Sequence, residues 1–241
     1  MSFYRQGPSF RSGGATIGVP PVTPMIKKII IACGAVFVVQ ELLRWTGTID
    51  LNPIFGMSPA LTVRGWVWQP FTYMWFHGGF FHVLFNMLML WMFGGELERQ
   101  WGGRAFLRYY LVCGIGATLF IFAGGYLTGS AGSWTVGASG AIYGVLLAFG
   151  LVFPTRVIMF FMLFPMQART AVMIYGAIQF FATMGSTGSG VSHVSHLGGL
   201  IVGLVYLKKW WRVGDLYREL RWRMVRRKFK VVPRDEDDFL H

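Results

Sequence analysis

Six apolar runs recur along this chain of 241 residues. Each is near the ~20 residues that a helix needs to cross the hydrocarbon core of a bilayer. They are drawn at 25–45, 79–95, 105–127, 137–153, 170–185 and 192–208, the fourth being short. Backbone inside lipid must satisfy its own N–H and C=O groups, so such runs fold as helices. The expected fold class is all-α: a polytopic membrane protein built as a six-transmembrane-helix bundle. Composition agrees, with 54% hydrophobic and only 13% charged residues, against about 25% charged in soluble domains. The stretch 157–165 is also apolar but is interrupted by Pro165 and followed by Arg169. It reads as a membrane-dipping loop or as the inner start of the fifth span.

The basic residues set the expected orientation. Short loops rich in Lys and Arg stay cytoplasmic. Six spans put both termini on one side. That side then holds Arg5, Arg11, Lys27, Lys28, Arg99, Arg104, Arg108, Arg156, Arg169 and every basic residue after Val205, leaving only Arg44 and Arg64 elsewhere. Both termini are therefore expected in the cytoplasm. The net charge of +12 flanks apolar spans, which points to anionic lipid rather than nucleic acid. Residues 1–24 read as a disordered cytoplasmic tail, 25–208 as the membrane domain, and 209–241 as a basic amphipathic cytoplasmic tail lying on the inner leaflet. Cys33 and Cys113 lie inside apolar runs and read as buried thiols, with no disulfide. No signal or transit peptide is visible, which favours a bacterial inner membrane.

Polar groups inside a span are costly and call for a reason. The informative set is His82 and Asn86 in the second run, Ser139 and Tyr143 in the fourth, and His193 and His196 in the sixth. All three runs enter from the outer side in this orientation, so these residues share one layer beneath the outer surface. Gly140 and Gly144 form one small-residue face, and Gly199 and Gly203 another. Such faces let helix backbones approach closely. If the two meet, Ser139 and His196 come within hydrogen-bonding reach. His82 and Asn86, four apart, lie on one face of their helix.

A serine hydroxyl is a weak nucleophile until a base takes its proton, and histidine is suited to that near neutral pH. No carboxylate stands in this layer to orient the imidazole, so a Ser–His dyad is the arrangement left. Tyr143 is positioned to stack beneath the ring. Asn86, His82 and the Ser139 N–H are candidate donors for an oxyanion. Without acids or cysteines in the layer no metal site can be composed, and no cofactor is expected. Each feature alone has a plain structural reading. A serine bonds back to its own helix, paired glycines pack, and a buried histidine joins two helices. Their co-location is what points to chemistry.

These residues resemble the rhomboid family. The block Phe76-His77-Gly78-Gly79-Phe80-Phe81-His82-Val83-Leu84-Phe85-Asn86-Met87 is similar to the second-helix His-x-x-x-Asn block. Gly94-Gly95-Glu96-Leu97-Glu98 with Trp101-Gly102 resembles the exit from that helix. Gly137-Ala138-Ser139-Gly140 fits Gly-x-Ser-Gly, and His196 through Gly199 and Gly203 fits His-x-x-Gly-x-x-x-Gly. The resemblance spans about residues 54–207, in family order. It implies an intramembrane serine endopeptidase cutting transmembrane protein substrates near their outer ends. It implies Ser139 and His196 as catalytic residues, Asn86 and His82 as oxyanion donors, and Tyr143, Gly137, Gly140 and Gly199 as supports. Two departures are visible: Gln69 follows Trp68 where many members carry Arg, and Ser195 stands where Ala is common. His193 is the alternative base. The alternative function is a non-proteolytic rhomboid-like protein that binds membrane clients. A small transporter is the third reading, disfavoured by the lack of internal repeats.

Overall fold

The computed structural model describes residues 21–160, 164–185 and 193–208. Of the expected tails, 1–24 and 209–241, residues 1–20 and 209–241 lie outside these described residues, as does the first residue of the sixth run. Six longer helices carry the fold: α1 (Pro24–Trp45), α5 (Phe80–Trp101), α6 (Gly103–Leu127), α7 (Ser139–Val152), α8 (Ala168–Gly185) and α9 (193–208). Three short helices, α2 (Asn52–Phe55), α3 (Pro59–Val63) and α4 (Gln69–Thr72), and a 3₁₀ turn at Tyr73–Trp75 fill the connection between α1 and α5. Among the described residues, α5 and α6 are long and apolar enough to cross a membrane unaided, and α7 is a shorter apolar helix.

Two expectations need correction. The fold is mostly helical, but not purely so. Residues Val157–Phe160 (β1) and Phe164–Gln167 (β2) pair as an antiparallel hairpin, with Val157 opposite Gln167 and Phe160 opposite Phe164. A run of β-branched and aromatic residues between Pro154 and Pro165 is poorly suited to a helix and well suited to a ribbon. The second run also does not end at Gly94-Gly95. Helix α5 continues to Trp101 and stops at Gly102, which takes a φ of 83°. Gly94 serves packing instead: a Cβ there would lie 2.7 Å from Ile26 Cδ1.

Helix α7 is the axis of the bundle. Most of its side chains are buried, and α5, α6 and α8 all pack against it. Helix α9 packs against both α6 and α7. Gly116 and Gly124 of α6 make room for Val202 and Val194, while Gly199 and Gly203 of α9 meet Gly140 and Gly144 of α7. Leu119, Phe181 and Val205 are exposed on the outside of the bundle. Large apolar side chains outside and polar ones inside are what a lipid-facing bundle requires.

Buried polar side chains tie the ends of the bundle. Glu98 of α5 accepts hydrogen bonds from Met25 N–H at 2.8 Å, Ile26 N–H at 2.9 Å and the Thr23 hydroxyl. One carboxylate thus satisfies the open N–H groups at the start of α1 and complements its dipole. At the other end, Gln40 Nε2 donates to Asn52 Oδ1 at 2.9 Å and to His77 O at 2.7 Å. Gln69 is fully buried. Its Oε1 accepts from Ser58 N–H (3.1 Å) and Thr62 Oγ1 (3.2 Å), and its Nε2 donates to Ile54 O (3.3 Å). An amide can close this loop from within because it both donates and accepts.

Candidate active site

Ser139 opens α7, and the residues before it fix where it points. Gly137 has a φ of 125°, which side-chain-bearing residues rarely adopt. A Cβ there would also lie 2.7 Å from His82 Nε2. Its N–H donates to Tyr73 O at 2.9 Å. With Ala138 as N-cap, Ser139 is the first helical residue, and its N–H has no intrahelical acceptor. The positive end of the helix dipole falls at the same point.

His196 reaches Ser139 from α9. Its Nε2 lies 2.8 Å from Ser139 Oγ. Tyr143, one turn beyond Ser139, stacks on the imidazole with ring centroids 4.3 Å apart and planes 15° from parallel. The geometry depends on the glycine faces: a Cβ on Gly199 would lie 1.8 Å from Gly140 O. Gly140 is hemmed in on its other side, where a Cβ would meet Ser195 Oγ at 2.9 Å and Ala117 Cβ at 3.0 Å. A small side chain at 195 is therefore required, and Ser195 meets that need.

Helix α5 supplies the facing wall. Gly78 N–H donates to His82 Nδ1 at 3.3 Å, so in the neutral ring the proton lies on Nε2. That nitrogen is the one turned toward Gly137. Asn86 Nδ2 donates to His82 O at 3.0 Å and keeps a second N–H. His82, Asn86, Ser139, Tyr143 and His196 line one cavity of ≈ 350 Å³ with Phe81, Phe85, Met89 and Leu146 among its apolar walls. The cavity thus places the Ser139 hydroxyl, the His196 imidazole and several N–H donors beside a surface that suits apolar side chains.

His193, the alternative base, is turned to another partner. Its Nδ1 lies 2.8 Å from Gln179 Oε1. The same oxygen lies 2.9 Å from His196 Nδ1, and Gln179 Nε2 donates to Tyr143 OH at 2.8 Å. Gln179 is a site residue that sequence reasoning missed. The signal was there: an amide within the apolar run of α8.

The model of the Rhomboid domain matches residues 64–212, more than half of the chain. The chain belongs to the rhomboid family. It is therefore an integral membrane protein. RHOMBOID-like protein 5 of Arabidopsis thaliana is 32% identical over 108 residues, 44% of this chain and 34% of that protein. Rhomboid protein 1, mitochondrial, of Saccharomyces cerevisiae is 33% identical over 132 residues, covering 54% and 38% of the two chains. Rhomboid protease AarA of Providencia stuartii is 33% identical over 156 residues, 59% of this rhomboid and 56% of AarA. In all three cases this rhomboid spans less than two thirds of the relative's length.

Proposed function

We propose that this rhomboid is an intramembrane serine endopeptidase acting on transmembrane protein substrates through a dyad of Ser139 and His196. The observation that carries the reading is the 2.8 Å contact between Ser139 Oγ and His196 Nε2. In the first step Oγ attacks the scissile carbonyl carbon and His196 Nε2 takes the hydroxyl proton. The carbonyl oxygen becomes an oxyanion facing the Ser139 N–H, the Asn86 amide and His82 Nε2–H. The C–N bond then breaks, His196 returns its proton to the leaving amine, and an ester to Ser139 remains. A water molecule, deprotonated by His196, attacks that ester. The carboxylic product leaves as Ser139 regains its proton. No metal or cofactor enters this sequence.

All six longer helices cross the bilayer in this reading, with both termini cytoplasmic and the cavity below the outer surface. In this reading the membrane is the inner membrane of a bacterium. The basic segment after α9 contacts anionic lipid. Shorter or more polar helices such as α8 can span because their polar groups are satisfied within the bundle. The deciding experiment is cleavage of a single-span model substrate in proteoliposomes, with fluorophosphonate labelling beside it. Wild-type protein cleaves and takes up label, while Ser139→Ala does neither yet unfolds at the same temperature. Cleavage by Ser139→Ala rejects the dyad. A folded wild type that neither cleaves nor labels favours a client-binding role.

A further inference from the structure

A histidine base has two ring nitrogens, and only one of them faces its serine. A neutral imidazole carries one proton. To accept the hydroxyl proton of Ser139, Nε2 must be bare and the ring proton must lie on Nδ1. Something on the Nδ1 side has to select that tautomer and hold the ring plane. In soluble triads a carboxylate does this. Among the described residues no carboxylate stands near, but Gln179 Oε1 lies 2.9 Å from His196 Nδ1.

We propose that Gln179 is the positioning residue of this site, its carbonyl oxygen holding His196 in the Nδ1–H tautomer that leaves Nε2 free to take the Ser139 proton. The inference rests on the dyad proposed above. Three observations support it. Gln179 is buried, 6% exposed, in an apolar helix, where an unsatisfied amide is costly. Among the described residues, its side-chain bonds all go to the site: Oε1 to His196 and His193, Nε2 to Tyr143 OH. And its two ends do different work. A carbonyl oxygen only accepts, so it draws the proton of each histidine to Nδ1. The N–H₂ end fastens the phenol whose ring lies against His196. The reverse orientation of the amide would put N–H at His196 Nδ1 and the ring proton on Nε2, turning Ser139 into an acceptor and the dyad into an inert pair.

An amide rather than a carboxylate also suits the surroundings. An ionised group buried in a membrane bundle is expensive, whereas the glutamine supplies the acceptor without a net charge. Gln179 further links α8 to α7 and α9 at the level of the chemistry. Among the described residues, the titratable groups around the ring are Ser139 and Tyr143 on α7, His82 on α5 and His193 on α9 itself, with Tyr175 of α8 behind Tyr143.

The test compares Gln179→Leu and Gln179→Glu with the wild type and Ser139→Ala, all in proteoliposomes. Gln179→Leu keeps the shape and loses the acceptor. It lowers kcat by about 10²-fold or more with KM within about twofold. Gln179→Glu restores the acceptor and recovers kcat to within about tenfold. Its carboxylate favours the imidazolium, so the acid limb of the pH–rate profile moves to higher pH. Nitrogen-15 NMR of labelled histidine in the wild type gives a protonated Nδ1 and a bare Nε2 for His196. Wild-type rates in Gln179→Leu overturn the proposal, and so does failure of Gln179→Glu to exceed Gln179→Leu. A protonated Nε2 in the wild type overturns it even if Gln179→Leu does not fold. Cleavage by Ser139→Ala rejects the dyad itself, and this inference with it. An inactive Ser139→Ala beside an unaffected Gln179→Leu rejects only the role of Gln179.

Discussion

Gly199 of α9 lies against Gly140 of α7 so closely that a single added methyl group would fall 1.8 Å from the Gly140 carbonyl oxygen. The obstacle is backbone, so no side-chain rotation relieves it. Gly199→Ala must push α9 away from α7 and draw His196 off Ser139. Overpacking of this kind costs about 1–3 kcal/mol. The expected result is a lower unfolding temperature in detergent and a loss of cleavage larger than the stability change explains. Gly34 is the control, since nothing lies within 4 Å of a Cβ there. Gly34→Ala in the middle of α1 leaves cleavage unchanged.

The proposed oxyanion wall makes a separate prediction. His82 and Asn86 reach the cavity from one face of α5. Neither is in the dyad, so their loss should spare substrate binding and reduce the rate of the chemical step. Removal of one oxyanion donor costs about 3–4 kcal/mol of transition-state stabilisation, or roughly 10²–10³ in kcat. Asn86→Ala and His82→Ala are each expected in that range, with KM little altered. Steady-state kinetics on a soluble reporter of cleavage checks this. A rise in KM at unchanged kcat would assign the two residues to substrate binding instead.

Much of this site could be read from the sequence because its parts are local. The glycine pairs 140/144 and 199/203 announce close approach, and they do meet. Ser139 and His196 ride on those faces. What escaped reading depends on contacts far apart in the chain. Gln179 touches residues 143, 193 and 196, and nothing in an isolated amide names such partners. Glu98 was legible as part of a motif but not as the cap of α1, whose first N–H groups lie more than 70 residues away. The second apolar run stops at Gly95, ahead of the charged residues Glu96, Glu98 and Arg99, whereas the helix that carries it continues to Trp101. The β1–β2 hairpin failed for a related reason: a short apolar run does not by its periodicity distinguish ribbon from helix.

Tyr143 allows stacking and hydrogen bonding to be separated. Tyr143→Phe keeps the ring beneath His196 and loses the bond from Gln179. Tyr143→Ala loses both. An aromatic stack contributes about 0.5–1.5 kcal/mol, so Tyr143→Ala is expected to fall roughly tenfold below Tyr143→Phe in kcat. Equal activity of the two variants would mean that the ring does not hold the imidazole.

The last prediction concerns the connection just before α5 rather than the dyad. His77 lies outside the spans of the proposed topology and is fully buried. Burial pushes its imidazole down to about 3, helped by the neighbouring His82. In the unfolded chain the same ring takes up a proton near the ordinary 6.5. Between those two values the unfolded state binds more protons than the folded one, so stability falls as the pH drops through that window. The slope from one such group is at most about 1.4 kcal/mol per pH unit. Above the ordinary histidine value the dependence vanishes. Replacing His77 by Leu removes the titration and keeps the backbone bonds to Gln40. Thermal unfolding of both proteins in detergent, from neutral pH to about pH 4, should therefore give a shallower decline for His77→Leu. Parallel declines would locate the acid sensitivity in another group.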